Sequence, residues 1–563
     1  MDWHIEDKGT KERPCSTWGG TTWNKNLFPS PTNFISWLNN VSSEQTRKVN
    51  STTFGHPLPL TLNVHPQGGI DHCQSGYARV AKAMNVTNNS VVECDMFSSK
   101  FAAQLFALYD DPDNRGVATW WTDYQGCGTQ PNRAPDSLPA PDGSKDRAGI
   151  PRNASLLWSN AIYDSHIRDV KNQRPMVLSR DGGYGNQRYP ITFSGDTFQA
   201  WGVLDFQIRA TSQAANTLAG YWSHDIGGFH NGGHPNVVPG DANVTDAAGA
   251  ELLLRWMQFG VVAPIFRTHC NHCERRIWLF PHKEELADAM RLRNALGPYV
   301  YTAARHAYDR AVSILRPMYY EDPELNAAYD HKQQYYFGRA IIASPISERV
   351  DEKGRVTKST WLPSSPDSGH AWCTWDGSVC TRAGTGPSVH RASYSRAEVP
   401  LFLRAGALLP MKTMADVQST APGILVWMAA VNPSSGVTSG HGEAYEDGGE
   451  NLDYESETQK LYSKVSASWT RDGNETLKLT VHPTVGGFKI SKRKHVFQLR
   501  GLTCANGHMK CTARVKCTGS MKATAGTVAK AEATLSSTAG AVVVTLSKSL
   551  AESELATCTL TGY

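Results

Sequence analysis

Short apolar runs rich in β-branched and aromatic residues alternate with polar stretches along the first part of the chain. Amphipathic segments, among them residues 34–38 and 251–259, lie between several of these runs. Alternation of this kind predicts a parallel sheet with crossover helices, and six or more repeats favour an α/β fold of the (β/α)8 barrel class. The predicted strands are residues 58–64, 117–121, 175–178, 191–193, 217–222 and 261–266.

Polar side chains follow these apolar runs at the points where barrel strands would end. The carboxyl ends of the strands meet on one face of a barrel, and that face holds the active site. A single aspartate after a strand is usually the N-cap of the next helix. A series of six such ends favours a functional site instead, built from His65, Asp123, Arg180, Asp196, Asp225 and His269.

The pattern changes after about residue 335. Short strand-like runs at residues 338–343 and 401–409 are separated by Pro, Gly and Ser. From about residue 421 the chain is rich in Ser, Thr, Ala and Val with strand-like alternation, which is typical of a β-sandwich. We therefore predict a catalytic barrel over residues 1–335, a proximal β-sandwich over 336–420 and a distal β-sandwich over 421–563.

Composition narrows the classes of function. A chain of 563 residues is too long for one core, and 40% hydrophobic with 19% charged residues is ordinary for a globular protein. The formal net charge of +4 gives no reason to expect nucleic-acid binding. No apolar run reaches the length of about 18 residues that a membrane span needs.

Cysteine spacing predicts neither a metal nor another cofactor. Cys270 and Cys273 form a lone C-x-x-C pair, whereas a zinc site needs a second pair of ligands. Four of the twelve cysteines cluster near the C-terminus, where they are able to form disulfides in an oxidising compartment. Seven N-x-S/T sequons also favour a secretory or extracellular location, although Met1 is not followed by a signal peptide.

Two carboxylates from different strands of one barrel face are able to hydrolyse a glycosidic bond. One protonates the leaving oxygen, and the other acts as base or nucleophile on the far side of the anomeric carbon. Their separation, about 5–5.5 Å for retention and roughly 6.5–9.5 Å for inversion, cannot be read from sequence. Asp123 and Asp196, each flanked by aromatic or small residues, are the candidates.

An ordered series of motifs resembles glycoside hydrolase family 31. The likeness runs from residue 2 to about residue 460 in fixed order, and no single motif carries it. The final hundred residues resemble nothing that can be aligned with the family. The motifs are GVATWWTD at 116–123, RPMVLSR at 174–180, FSGDT at 193–197 with Trp201, LAGYWSHDIGGF at 218–229, RWMQFG at 255–260, PIFRTH at 264–269, PYVY at 298–301, RP at 316–317, PLFLRAG at 400–406 and YEDG at 445–448.

The resemblance implies a role for each matching residue. Asp123 would attack the anomeric carbon and carry the glycosyl ester, and Asp196 would donate a proton and then activate water. Arg180 would lie beside the carboxylates, and Arg267 would support His269 from behind. Sugar hydroxyls would be held by Asp2, Asp225 and His269, and the pocket walls would be formed by Trp3, Trp121, Trp222 and Phe229.

The chain departs from the family pattern at two places. The nucleophile motif continues as Tyr124-Gln125-Gly126, where the family has Asn-Glu, so the pocket is less anionic. The unusual opening Asp2-Trp3-His4 points to a less-studied branch of the family. Because the family has an N-terminal β-sandwich and a first barrel strand ahead of this segment, we expect the chain as given to be truncated at its N-terminus.

The resulting expectation is a retaining α-glycosidase that acts on an oligosaccharide or glycoconjugate, with an α-glucoside as the first candidate substrate. Two alternatives remain open at this point. The unusual context of Gln125 and Trp3 is compatible with an α-galactosidase or α-N-acetylgalactosaminidase type of activity. The expected N-terminal truncation leaves room for a non-catalytic carbohydrate-binding remnant. The sequence does not give the oligomeric state.

Overall fold

The structure is a computed structural model of the 563-residue chain. Among the predicted site residues, Asp2 and Trp3 lie outside the part it describes, as does Gln125. The described residues are 15, 19, 21–40, 59–87, 90–96, 98–123, 152–180, 185–189, 191–230, 247–271, 273–363, 370–413, 422–456, 458, 460–473, 476–490, 492–502, 514–520, 531–536, 541–546 and 555–561.

The chain divides into two compact units. The first is drawn from Met1–Gly195, Thr217–Trp222 and Glu450–Leu452. The second is drawn from Asp196–Asn216, Ser223–Gly449 and Asp453–Tyr563.

A five-stranded sheet organises the first unit, with its strands in the order of the chain. The first four strands pair in parallel, so each connection must cross over from the end of one strand to the start of the next. The strands are β1 (Leu60–Val64), β2 (Val117–Thr122), β3 (Val177–Ser179), β4 (Ile191–Phe193) and β5 (Tyr221–Ser223). The helices are α1 (Pro31–Asn40), α2 (Tyr77–Met84), α3 (Ser99–Tyr109) and α4 (Arg152–Ser165).

Strands β2, β3 and β4 are buried along nearly their whole length, as expected for parallel strands covered on both faces. Helix α3 begins at an N-cap, Ser98, whose side chain accepts a hydrogen bond from the Phe101 amide. Helix α2 ends at Asn85, which adopts a left-handed conformation. Leu62 and Trp120 from the sheet share one core with Phe101 from α3.

Helices dominate the early part of the second unit. They are α5 (Trp201–Gln213), α6 (Ala247–Val261), α7 (Lys283–Ala295), α8 (Gly297–Arg310) and α9 (Asn326–Asp330). The strand predicted at residues 261–266 is wrong, because α6 extends to Val261 and the chain then turns. A short apolar run is compatible with a buried helix end as well as with a strand. The parallel bridge in this region joins Ile226 to Thr268.

Antiparallel strands follow, and they form one five-stranded sheet and a separate two-stranded sheet. The sheet has the order β10-β12-β8-β7-β6, and β9 pairs with β11. Trp361 and Trp372 lie in the core of this region with Phe402. The strands are β6 (Leu315–Pro317), β7 (Tyr335–Phe337), β8 (Ile341–Ala343), β9 (Val356–Leu362), β10 (Trp372–Thr374), β11 (Ser388–Tyr394) and β12 (Leu401–Arg404).

The last strands form two sheets that share one hydrophobic core, which is the arrangement of a β-sandwich. Trp427 comes from one sheet and Trp469 from the other, and both are fully buried. Inward and outward positions alternate along β16, as the sequence pattern predicts. The strands are β13 (Leu409–Lys412), β14 (Ile424–Ala430), β15 (Ser439–Asp447), β16 (Tyr462–Asp472), β17 (Thr476–Val481), β18 (Val485–Gly486), β19 (Lys494–Arg500), β20 (Arg514–Ser520), β21 (Ala531–Ser536), β22 (Ala541–Leu546) and β23 (Leu555–Thr561).

None of the helices in the described part of the chain is both long enough and apolar enough to cross a membrane.

Candidate active site

Asp123 lies directly after β2, at the carboxyl end of the parallel sheet. Its amide donates to the carbonyl of Val64 at 2.8 Å, which continues the pairing of β1 and β2 and fixes the backbone. The residue is only 6% exposed. The first unit therefore carries a buried carboxylate at the position where a barrel enzyme holds its reacting groups.

Two cationic or polar neighbours contact the Asp123 carboxylate. Arg180, directly after β3, donates from both Nε and Nη2, the second bond being 3.1 Å long. His65, directly after β1, brings its Nε2 within 3.6 Å of Oδ2. Burial alone would raise the pKa of Asp123, but hydrogen bonds from His65 and Arg180 and the charge of Arg180 outweigh it and lower the pKa.

Arg180 is itself held in place by the neighbouring strand β4. Its guanidinium carbon lies 5.2 Å from the centre of the Phe193 ring, in a cation–π contact. A Cβ atom at Gly195 would lie 2.8 Å from Nη1 of Arg180, so glycine leaves the room that the guanidinium occupies. Trp121 packs edge-on against Phe193, with ring centres 5.3 Å apart, and is buried. Trp222 lies in β5 and is half-buried.

In the second unit, Asp196 lies next to His230. Its carboxylate is 24% exposed, and Oδ2 lies 3.8 Å from Nε2 of His230. Backbone hydrogen bonds fix His230, because its amide donates to Thr197 at 2.9 Å and its carbonyl accepts from Gln199 at 3.2 Å. This separation is longer than a hydrogen bond, so the two side chains are neighbours without a direct hydrogen bond between these atoms.

Asp225 is fully buried in the second unit and forms an ion pair with Arg267, at 2.6 Å. Nε of Arg267 also donates to the Ser223 hydroxyl at 3.0 Å. Arg275 donates to the carbonyls of Ile226, at 3.2 Å, and Gly228, at 2.7 Å. The turn that follows Asp225 is therefore fixed by two arginines.

His224 is buried completely, and its ring stacks on Phe259 at 4.5 Å. Burial first, and then the charge of Arg267, lower the pKa of His224 to about 3. The imidazole is therefore neutral at ordinary pH.

Phe229 and His269 form a stacked pair with ring centres 5.1 Å apart and an angle of 28° between the rings. The Phe229 amide donates to the carbonyl of Thr197 at 2.7 Å. Its carbonyl accepts from the Asn271 amide at 2.9 Å. Both aromatic side chains are half-buried, so each keeps a face that a ligand is able to reach.

The structure brings two pairs of the predicted residues together, Asp123 with Arg180 in the first unit and Phe229 with His269 in the second. Asp196 and Asp225 have other partners, His230 and Arg267. Sequence reasoning placed Arg267 behind His269, and the structure adds its ion pair with Asp225.

The sequence does not identify the partners His230 and Arg275. It places His65 among the polar strand ends, because His65 follows an apolar run as Asp123 does, but it assigns His65 no role beside Asp123.

Two family models match the chain in sequence order. The model described as "Glycosyl hydrolases family 31 TIM-barrel domain" matches residues 1–303. The model described as "Glycosyl hydrolase family 31 C-terminal domain" matches residues 311–409. The predicted fold class, a barrel followed by β-sandwich domains, is confirmed.

Curated relatives are similar to the chain over part of their length. An alpha-xylosidase of Saccharolobus solfataricus is 29% identical over 341 residues, which cover 60% of this chain and 42% of the relative. Neutral alpha-glucosidase C of Homo sapiens is 26% identical over 468 residues, which cover 79% of this chain and 47% of the relative. The chain thus spans less than half the length of either relative.

Solved structures of low sequence identity share the fold. A family 31 dextranase of Flavobacterium johnsoniae, complexed with glucose, superimposes with a TM-score of 0.75 at 18% identity, covering 97% of this chain and 66% of the dextranase. The catalytic subunit in a structure of endoplasmic-reticulum glucosidase II gives a TM-score of 0.70 at 19% identity, covering 96% of this chain and 57% of that subunit.

Proposed function

Because the chain belongs to glycoside hydrolase family 31, we propose that it hydrolyses α-glycosidic bonds with retention and that its substrates are α-glucosides. The observation that carries this proposal is the environment of Asp123. A buried carboxylate that Arg180 and His65 keep ionised is the group that double displacement needs as its nucleophile. The carboxylate attacks the anomeric carbon and forms a glycosyl ester.

Asp196 is the acid/base in this proposal. In the first step its carboxyl proton passes to the oxygen of the leaving group as the glycosidic bond breaks. In the second step the same carboxylate takes a proton from water, and the water oxygen attacks the anomeric carbon and releases Asp123. Partial exposure supports this role, because an acid/base group must exchange its proton with water in each turnover.

The remaining predicted residues hold the sugar. His269 is positioned by stacking on Phe229 and is thereby preorganised to bind a hydroxyl group. Asp225 is assigned to the sugar by the family motif, and in the structure its side chain is fully buried against Arg267. Trp121, Trp222 and Phe229 are assigned as apolar contacts of the sugar by the family motif. Asp2 and Trp3 are assigned to sugar binding by the family motif alone.

Hydrolysis of two classes of α-glucoside tests the proposal and separates the two carboxylates. Asp123→Ala removes the nucleophile and should lower kcat/KM on every substrate by at least about 10⁴-fold, the scale seen when a catalytic group is deleted. Asp196→Ala removes the proton donor. It should therefore affect alkyl glucosides far more than glucosyl fluoride, whose leaving group needs no protonation.

Asp288→Asn is the matched control, because Asp288 is an aspartate with a 70% exposed side chain on α7. It should keep the activity of the unmodified chain. Full hydrolysis by Asp123→Ala would reject the assignment. Binding of sugar without turnover by the unmodified chain would favour the non-catalytic alternative.

A second candidate substrate is an α-xyloside, which the similarity to an alpha-xylosidase favours. Xylosides lack the hydroxymethyl group that glucosides carry at C5, so a pocket closed at that point rejects glucose sharply. A panel of α-glucoside, α-xyloside, α-galactoside and α-N-acetylgalactosaminide substrates, ranked by kcat/KM, distinguishes these cases. A kcat/KM for α-xylosides above that for α-glucosides would replace the first proposal.

We also propose that the protein follows the secretory route. The pairs Cys270–Cys273 and Cys373–Cys380 are joined as disulfides, and structural disulfides are characteristic of oxidising compartments. The sequon at Asn85 supports the same route, because Asn85 is exposed at the end of α2. Enzymatic deglycosylation of the protein from its native source should lower its apparent mass.

A further inference from the structure

A second cluster of chemically active side chains lies in the first unit, outside the candidate active site. Cys15, Asp71, His72 and Cys73 each offer one ligand atom, and these atoms all lie within 4.8 Å of one another. The four residues come from two segments, since Cys15 is more than fifty positions before the others. It is the one such group of His, Cys, Asp and Glu found in the part of the chain that the structure describes.

His72 is held beside the two sulfur atoms by its neighbour Asp71, and its Nδ1 also lies 3.8 Å from Sγ of Cys15. Nδ1 of His72 lies 2.6 Å from Oδ1 of Asp71, and the same oxygen accepts the His72 amide, also at 2.6 Å. Asp71 is buried, so this pairing fixes the ring. Nε2 of His72 then lies 3.5 Å from Sγ of Cys15 and 3.8 Å from Sγ of Cys73.

Two of the three separations among these ligand atoms fit a tetrahedral zinc site, namely those from His72 to each sulfur. Zinc bonds of about 2.0–2.1 Å to nitrogen and about 2.3 Å to sulfur place the two ligand atoms of a tetrahedron roughly 3.6 Å apart. The separations between His72 and the two sulfurs fall on either side of that value. A carboxylate that receives the other ring N–H of a histidine ligand is also the usual outer partner in zinc proteins.

We propose that Cys15, His72 and Cys73 bind one zinc ion when the two cysteines are reduced, with Asp71 orienting His72. In the structure the cysteines are joined as a disulfide. A small dithiol transfers two electrons and two protons to this bond and becomes a disulfide itself. Zinc then replaces the two thiol protons, which pass to solvent, while rotation of the cysteine side chains separates the sulfur atoms.

The site fastens the segment around Cys15 to the connection between β1 and α2. The hydroxyl of Thr21 donates to the Gln74 side chain, and the hydroxyl of Thr22 accepts from the Ser75 amide at 3.0 Å. The same connection begins with His65, which contacts Asp123. The disulfide and the zinc site are therefore alternative cross-links between Cys15 and the connection from β1 to α2.

Cobalt binding by the full chain tests the proposal, with thiolate-to-cobalt charge-transfer and tetrahedral d–d absorption as the readout. The chain is reduced by a dithiol under argon, the reductant is removed, and Co²⁺ is titrated. The reduced unmodified chain should bind one equivalent of Co²⁺ more than reduced His72→Gln, and Zn²⁺ should displace this additional Co²⁺. Asp71→Asn should lower the affinity for the additional Co²⁺ by about 10- to 100-fold.

The Cys373→Ser/Cys380→Ser double variant is the matched control, because it removes another cysteine pair and leaves the cluster intact. It should keep the additional equivalent, whereas the oxidised chain should lack it. Far-ultraviolet circular dichroism of oxidised His72→Gln checks that this variant is folded. Equal stoichiometry and spectra for the reduced unmodified chain and folded His72→Gln would overturn the proposal, as would loss of the equivalent in the control.

Discussion

Asp123 and Asp196 lie in different surroundings, and this difference suits the two roles that we propose for them. Asp123 is buried against a guanidinium and an imidazole, which favour the charged form that a nucleophile requires. Asp196 is partly exposed and has a single imidazole at 3.8 Å among its contacts. Enzymes assign the roles of two carboxyl groups through such differences in environment.

Replacing Arg180 by leucine should reduce kcat/KM and shift the acid limb of its pH profile. Arg180 lowers the pKa of Asp123, so its loss raises that pKa, and a higher pH is then needed to ionise the nucleophile. Loss of charged hydrogen bonds of about 1.5–3 kcal/mol corresponds to roughly a 10- to 150-fold decrease in rate. The measurement is kcat/KM for an aryl α-glucoside as a function of pH.

Arg291→Leu serves as the control for Arg180→Leu. Arg291 is an arginine on α7 with a 49% exposed side chain, and its partner Asp288 is exposed as well. Its replacement should leave the profile unchanged. An acid limb that stays in place in Arg180→Leu would contradict the proposed ionisation of Asp123.

His224 should make the protein sensitive to acid. Its folded pKa, about 3, lies below the value of about 6.5 expected for the unfolded chain. The unfolded state therefore binds the extra proton between these values, and stability falls as the pH decreases from about 6.5 toward 3. His224→Phe removes this pH-dependent contribution to the free energy of unfolding. The variant should therefore lose less thermal stability than the unmodified chain between pH 7 and pH 4. An equal decrease of the melting temperature between pH 7 and pH 4 in the two proteins would refute the assignment.

At the scale of elements, the turn after β5 brings Asp225 and Phe229 into place through glycine. Gly228 has a φ of +83°, and a Cβ atom there would lie 2.7 Å from the amide nitrogen of Gln199. Because the added Cβ atom would meet backbone atoms, rotation of a side chain cannot relieve the overlap. The turn and the segment after Asp196 are thereby locked together by hydrogen bonds, including the one from Phe229 to Thr197.

Gly228→Ala should lower both the melting temperature and the activity, whereas Gly354→Ala should have a small effect. Gly354 has a φ of +72° but open space around its Cα, so both variants share the cost of a left-handed alanine. The additional overlap at Gly228 is expected to cost about 1–3 kcal/mol. Calorimetry and glucoside hydrolysis measure the difference, and equal losses in the two variants would show that the close approach is unimportant.

Element prediction from sequence succeeds where one signal dominates. Polar residues after β1, β2 and β3 were predicted as strand ends because apolar runs of β-branched and aromatic residues precede them. The prediction fails at residues 261–266, where a fully buried helix end has the same apolar composition as a strand. Periodicity separates these cases only when a segment keeps one polar face.

At the scale of the whole molecule, the sequence predicts the family and the fold class, and both are confirmed. The order of the motifs carries that prediction, since each motif is short. The domain limits at residues 335 and 420 stay predictions. The three-residue strand β6 shows why such limits are difficult, because it pairs with β7 although it lies well before residue 335. A segment of this length has too few positions for a pattern.

The site is predictable only in part, for a related reason. Sequence reasoning identifies carboxylates that follow strands, but it does not identify the charges that surround them. The contact of His65 with Asp123 and that of His230 with Asp196 are not predicted, because a single histidine near an apolar run has no pattern that separates ligand, partner and core residue. The cluster of Cys15 with His72 was missed because folding joins segments that are distant in the chain.

Trapping the glycosyl ester tests the central claim most directly. A fluorinated α-glucosyl fluoride forms the ester quickly and releases it slowly, so the labelled peptide is identified by mass spectrometry after proteolysis. We predict that the label lies on Asp123 and that Asp123→Ala carries none. A label on another carboxylate, or hydrolysis with retention that proceeds without a label on Asp123, would contradict the account.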